Sequence, residues 1–155
     1  TLLTALQALP RSSADLHLVP RTPAPSGEGI RSYHGLPPNQ LELIEVFQQC
    51  DVFVLPTEAE AFGIAAIEAS AVGLPVIATH VGGLIDVVVE GETGYLIKPG
   101  DTQTLTAHLR KLLENKPLRD RLGQAARARA ETRFNARHNA RQIAERLLQI
   151  AGALW

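Results

Sequence analysis

The stretch PTEAEAFGIAAIEASAVGLPVIA, residues 56–78, decides how the rest of the chain is read. Residues 61–72 predict a short helix, apolar on nearly every side. Gly73 and Pro75 close it, a glycine past the end and a proline soon after. "PVIATH" behind it and "DVFVLP" ahead of it are short apolar runs of the kind that form strands covered on both faces. Glu68 interrupts the apolar helix. Its neighbours three and four positions away are Ile64, Ala65, Ala71 and Val72, none of them polar. A carboxylate buried without partners is costly or loses its charge. Glu68 therefore needs either donors from a neighbouring loop or the edge of a cavity that admits a polar ligand.

Outward from this stretch, strands and helices alternate. "TLLTALQALP" carries Leu2, Leu3, Leu6 and Leu9 at helical spacing and ends at Pro10. "DLHLVP" and "IRSYHG" predict two strands, with the loop "RTPAPSGEG" between them. "PPNQLELIEVFQQC" predicts a helix that starts near Pro38 and Asn39. It faces inward through either Leu41, Ile44 and Phe47 or Leu43 and Val46. "VGGLIDVVVEG" is a Gly-Gly loop into a short helix, and "TGYLIKPG" is a fifth strand. From Asp101 onward the pattern is helical, with Asp101 and Thr102 as N-cap candidates. The alternation predicts an α/β domain with a mostly parallel sheet, whose ligands bind beyond the carboxyl ends of the strands.

Composition sets the boundaries of function. A chain of 155 residues fits one domain with a substantial core, and its net charge of −1 argues against a nucleic-acid partner. The single cysteine, Cys50, excludes an internal disulfide and fits a reducing, cytoplasmic compartment. The five histidines are scattered without ligand spacing, so no metal site is expected. There is no secretory signal, and the most apolar region is too broken to span a bilayer. Methionine is absent and the chain opens on a helix, so it is expected to be a segment of a longer polypeptide. Residues 110–146 carry eleven basic and four acidic side chains. This is either a solvated helical face or a surface for a partner domain, a polyanion or anionic lipid at the inner face of the membrane.

Glu60 stands eight residues before Glu68. Helical backbone between them would rise about 12 Å. Carboxylates that flank one glycosidic bond lie about 5–9.5 Å apart, so a glycoside hydrolase pair is disfavoured and two grips on a long ligand fit better. Between them, Phe62, Gly63 and Ile64 open a helix whose N-terminal amides suit an anion or a set of hydroxyls. Carboxylates beside backbone amides offer acceptors and donors together, which suits a sugar joined through phosphate to a nucleoside.

The motif P-[ST]-x-x-E-x-F-G-x-x-x-x-E-A is met at Pro56, Thr57, Glu60, Phe62, Gly63, Glu68 and Ala69. The run G-x-P-V-I follows at residues 73–77, the Gly pair at Gly82 and Gly83, and G-x-T-G at residues 91–94. As a set these resemble the donor-binding core of the GT-B glycosyltransferases, in particular the large retaining family four. The likeness runs from about Ile30 to Phe134.

The resemblance implies a Rossmann-like parallel sheet of GT-B type over residues 1–134, lacking its first central strand, with a C-terminal helix at 135–155. It implies transfer of a sugar from a UDP-, GDP- or ADP-linked donor with retained configuration and without a cofactor. Glu60 would bind the donor sugar as the catalytic-site carboxylate, and Glu68 would hold the ribose hydroxyls. Phe62, Gly63 and Ile64 would lend backbone amides to sugar and diphosphate. His34 and Gly35 would meet the base through their backbone, and Gly82 and Gly83 would shape the far wall of the cleft. The acceptor-binding N-terminal domain and the paired Arg and Lys that neutralise the diphosphate would precede Thr1, so the isolated segment is expected to be inactive. A nucleotide-sugar epimerase of the same fold and a non-catalytic binding module remain as alternatives.

Overall fold

The computed structural model describes residues 1–10, 13–20, 22, 24–25, 27–36 and 40–152. Parts of the loop after the first strand, and the expected helix start at Pro38 and Asn39, lie outside the described residues. In chain order the elements are α1 (Leu2–Gln7), β1 (Leu16–Leu18), β2 (Ile30–Ser32), α2 (Leu41–Gln48), β3 (Phe53–Leu55) and α3 (Ile64–Ala71). β4 (Val76–Thr79), α4 (Leu84–Val87), β5 (Gly94–Ile97), α5 (Thr102–Leu113), α6 (Lys116–Arg133) and α7 (Ala136–Gly152) follow.

All five expected strands are present and all pairings between them are parallel, but they form two sheets. β1 pairs β2, with Leu16 opposite Ile30. β3, β4 and β5 form the second sheet in that order, with Phe53 opposite Val76 and Val76 opposite Gly94. Every residue of the central strand β4 is buried, as its uninterrupted apolar run requires.

Helices cover both faces. On one side α1 and α5 pack together, and Ala5, Leu9, Leu105, Leu109 and Leu112 join Ile77, Tyr95 and Ile97 in one core. The leucines of α5 recur at positions 105, 109 and 112, one stripe of a helix capped by Asp101, whose carboxylate accepts from the Thr104 N–H at 3.0 Å. Of the two inward faces open to α2, the structure uses Leu43, Val46 and Phe47 and leaves Leu41 in solvent. The side chain of Asn115 caps α6 by accepting from the Leu118 N–H at 3.0 Å. Arg119 of α6 donates to the Leu112 and Leu113 carbonyls and pairs with Asp51, tying the end of α5 to the start of β3. Residues 136–151 of α7 are exposed apart from the half-buried Asn139. No described helix is long and apolar enough to cross a membrane.

Candidate functional site

The loop after β3 and the start of α3 are fixed from below. Thr79, at the carboxyl end of β4, donates its hydroxyl to the Thr57 carbonyl at 2.7 Å. Thr57 in turn donates to the Ala59 carbonyl at 2.8 Å and accepts from the Ala59 N–H. Helix α3 begins at Ile64, three residues later than the apolar periodicity predicts. The cause is local. Glu60 turns back, and its Oε1 accepts from the N–H groups of Phe62 at 3.3 Å and Gly63 at 3.1 Å. Gly63 takes φ +85°, a left-handed conformation that favours glycine. The helical backbone assumed between Glu60 and Glu68 is therefore broken at its first turn. The two amides expected to be open donors for a ligand are held in this structure by a carboxylate of the same loop.

Gly82 and Gly83 lie directly against this loop. A Cβ on Gly82 would stand 1.7 Å from the Glu60 carbonyl oxygen, and one on Gly83 would stand 2.7 Å from the Cα of Phe62. The Gly83 N–H donates to the Ala61 carbonyl at 3.1 Å. The pair thus lets the loops after β3 and β4 touch backbone to backbone. Phe62 and Ile64 remain more than half exposed, with Phe62 meeting Phe134 edge to face at 6.1 Å. Arg129 of α6 supports the wall from behind, donating to the Asp86 carbonyl at 2.6 Å and the Val87 carbonyl at 3.2 Å.

Glu68 leaves α3 in another direction. It is half-buried and lines a cavity of about 940 Å³ between the two sheets, together with Ala65, Gly35 and Leu36. Glu68 also lines a smaller hollow of about 210 Å³, with Leu43, Phe47 and Val72. The candidate residues thus fall into two groups. Glu68, in the helix after β3, and Gly35, in the loop after β2, both line the larger cavity. Glu60, Phe62 and Gly63 pack with Gly82 and Gly83 at the amino end of α3. His34 is exposed beside Gly35, which has φ +72°. Among the described residues, no three His, Cys, Asp or Glu side chains are grouped to hold a metal ion.

The contribution of Thr79 was missed by sequence reading. Its signal was a polar residue ending a wholly apolar strand directly below the loop.

A family model described as glycosyl transferases group 1 matches residues 29–129. The chain is 41% identical over 93 residues to a capsular polysaccharide biosynthesis glycosyltransferase of Staphylococcus aureus, covering 60% of this chain and 24% of that protein. It is 38% identical over 117 residues to a sulfoquinovosyl transferase of Arabidopsis thaliana, covering 74% of this chain and 22% of that protein. Among solved structures, it matches the sucrose-phosphate synthase of Thermosynechococcus elongatus with a TM-score of 0.72 and 33% identity, over 82% of this chain and 31% of that one. It matches Anabaena HepE, solved in complex with UDP, with a TM-score of 0.71 and 27% identity, over 79% of this chain and 33% of that one. HepE is also solved with UDP-glucose. The chain spans about a quarter of the length of the curated relatives it matches.

Proposed function

The chain belongs to the group 1 glycosyl transferases, and from that premise we propose that it is the donor-binding part of a hexosyltransferase whose donor is a nucleoside diphosphate sugar. The observation that carries this reading is the position of Glu68, delivered by an apolar helix to a cavity it shares with Gly35. Gly35 and Glu68 follow the carboxyl ends of β2 and β3, and open parallel sheets bind ligands beyond such strand ends. There the carboxylate accepts from the two ribose hydroxyls, and the backbone at His34 and Gly35 meets the base. The complexes of HepE with UDP and UDP-glucose support this class of ligand.

The diphosphate and sugar run toward the amino end of α3. The Glu60 carboxylate now on the Phe62 and Gly63 amides marks that spot as one suited to anionic oxygen. The entering donor displaces Glu60 from these amides and takes them over, along with that of Ile64, while Glu60 turns to accept from sugar hydroxyls. Gly82 and Gly83 hold the opposite loop close enough to form the far wall.

In the reaction, the bond from the anomeric carbon to the phosphate oxygen breaks and a bond to the acceptor oxygen forms on the same face. The acceptor proton passes to the departing diphosphate. Acceptor binding, and the cations that stabilise that leaving group, belong to polypeptide outside these 155 residues.

Thermal shift with UDP, GDP and ADP tests binding and ranks the bases. At least one is expected to raise the melting temperature, while a labelled sugar nucleotide gives no transfer with this chain alone. No shift with any of the three would remove the reading, and turnover by this chain alone would overturn its division of labour.

A further inference from the structure

One helix behind the candidate site reaches both of the loops that form it. α4 has four residues, too few to stay helical in isolation. The last carbonyls of a helix have no partner within it. In α4 those of Asp86 and Val87 are taken by one guanidinium. Arg129 donates from a terminal nitrogen to Asp86 at 2.6 Å and from Nε to Val87 at 3.2 Å. Ahead of α4, the Gly83 N–H donates to the Ala61 carbonyl at 3.1 Å. The segment after β4 is therefore fixed at two points, by Arg129 at its end and by the loop after β3 at its start. That second loop also meets α6, since the Phe62 ring stands edge to face with Phe134, the residue that ends α6.

Packing separates Arg129 from the arginine two residues before it. In the run ARARA, residues 126–130, Arg127 is exposed and pairs with Glu131 one turn on, at 2.8 Å. A pair of this kind on a helix surface contributes little. Arg129 is half-buried and follows the buried Ala126 by three residues, on the face that α6 turns to the core. The small side chains of Ala126 and Ala130 leave room for its long stem to cross that face. Two nitrogens in one rigid plane match two successive carbonyls, which a single ammonium cannot do.

We propose that Arg129 is a positioning residue for the sugar-diphosphate end of the donor. It grips the end of α4, and the glycine pair that opens α4 lies backbone to backbone against residues 60–62. Held in this way, α4 sets the distance between the Phe62 and Gly63 amides and the wall that faces them. The nucleoside end is independent of this grip. Glu68 and Gly35 line the larger cavity, and among the described residues no part of α4 or α6 lines it. The role rests on the donor reading given above.

The test compares the parent chain with Arg129→Ala, Arg129→Lys and, as a control for charge on the same helix, Arg127→Ala. Amide hydrogen exchange is followed at Gly83 and Val88, whose N–H groups bond the Ala61 and Leu84 carbonyls. Calorimetry measures UMP, UDP and UDP-glucose, with the guanine and adenine series alongside. In Arg129→Ala both amides are expected to exchange about ten-fold faster through local opening, while the α5 amides keep the parent rate. Affinity for the sugar-linked diphosphate should fall about ten-fold relative to that for the monophosphate. Arg129→Lys should recover part of both effects, and Arg127→Ala should match the parent. Parent-like exchange in Arg129→Ala would overturn the proposal. So would an equal loss for monophosphate and sugar-linked diphosphate, the mark of a general loss of structure. The same selective loss in Arg127→Ala would also overturn it, by assigning the effect to charge alone. These three results would leave the donor reading standing, whereas a parent chain that binds none of the nucleotides would sink that reading and this role together.

Discussion

Glu60 and Gly83 show how much of this site is settled by single residues. The Glu60 carboxylate neutralises two amides at the positive end of α3, an interaction of about 0.3–1 kcal/mol for a charge in the first turn. Glu60→Ala should lower the chemical-denaturation stability by about that much, with Glu60→Gln recovering part of it. A larger loss would mean that the carboxylate has further partners in the fold. Gly83 has the opposite constraint, because any side chain there meets the Phe62 backbone. Gly83→Ala should cost about 1–3 kcal/mol, the range for overpacking. Gly27→Ala, where a Cβ meets nothing within 4 Å, should be nearly silent in the same denaturation series. Residue chemistry was only partly legible. A carboxylate alone in an apolar helix announces a polar neighbour, and Glu68 does line a cavity. Nothing in Gly82-Gly83 says whether the space left by two missing side chains receives a ligand or another backbone; here it receives the Glu60–Phe62 backbone.

At the scale of elements, the period of the apolar residues located every strand and most helices, because a strand buried on both faces and an amphipathic helix each write their environment into their own residues. The start of α3 was misplaced because Ala61 and Phe62 continue the helical period while Glu60 and Gly63, which end it, act through backbone hydrogen bonds and φ. The α5 cap was readable at Asp101, whose side chain makes the bond, whereas the Asn115 cap of α6 was not read. Asn115→Ala should destabilise the chain by about 1 kcal/mol through loss of the α6 cap, measured by urea unfolding; no change would deny the cap a role. A pH effect belongs to the packing of α5 on β5. His108 stacks on Tyr95 with ring centroids 4.1 Å apart, and Lys111 lies over the same ring. Burial holds the imidazole below its ordinary 6.5, the Lys111 charge adds to this, and Glu90 and Asp101 oppose it. The unfolded chain therefore binds the proton more readily. Stability should be level above pH 6.5 and decline as pH falls through 6.5 toward the lowered value. Replacing His108 with Asn should flatten that part of the profile; an unchanged slope would place its origin elsewhere.

The whole molecule was the least legible level. Alternation of strands and helices predicted a parallel α/β sheet, and the three described strand pairings are all parallel. The division into two sheets was not visible in any one segment, since a strand's residues record that it is covered but not which strand lies beside it. Residues of β1 and β3 line the cavity between the two sheets. The site shares this geometry. Glu68 and Gly35, far apart in sequence, line one cavity only because the two sheets face each other across it. The most direct measurement is calorimetric titration of UDP into the chain and into its Glu68→Ala form, with melting temperatures recorded for both. Charged hydrogen bonds are worth about 1.5–3 kcal/mol, so the variant should bind about ten- to a hundred-fold more weakly while melting within a degree or two of the parent. Equal affinity in the two proteins would contradict the role given to Glu68.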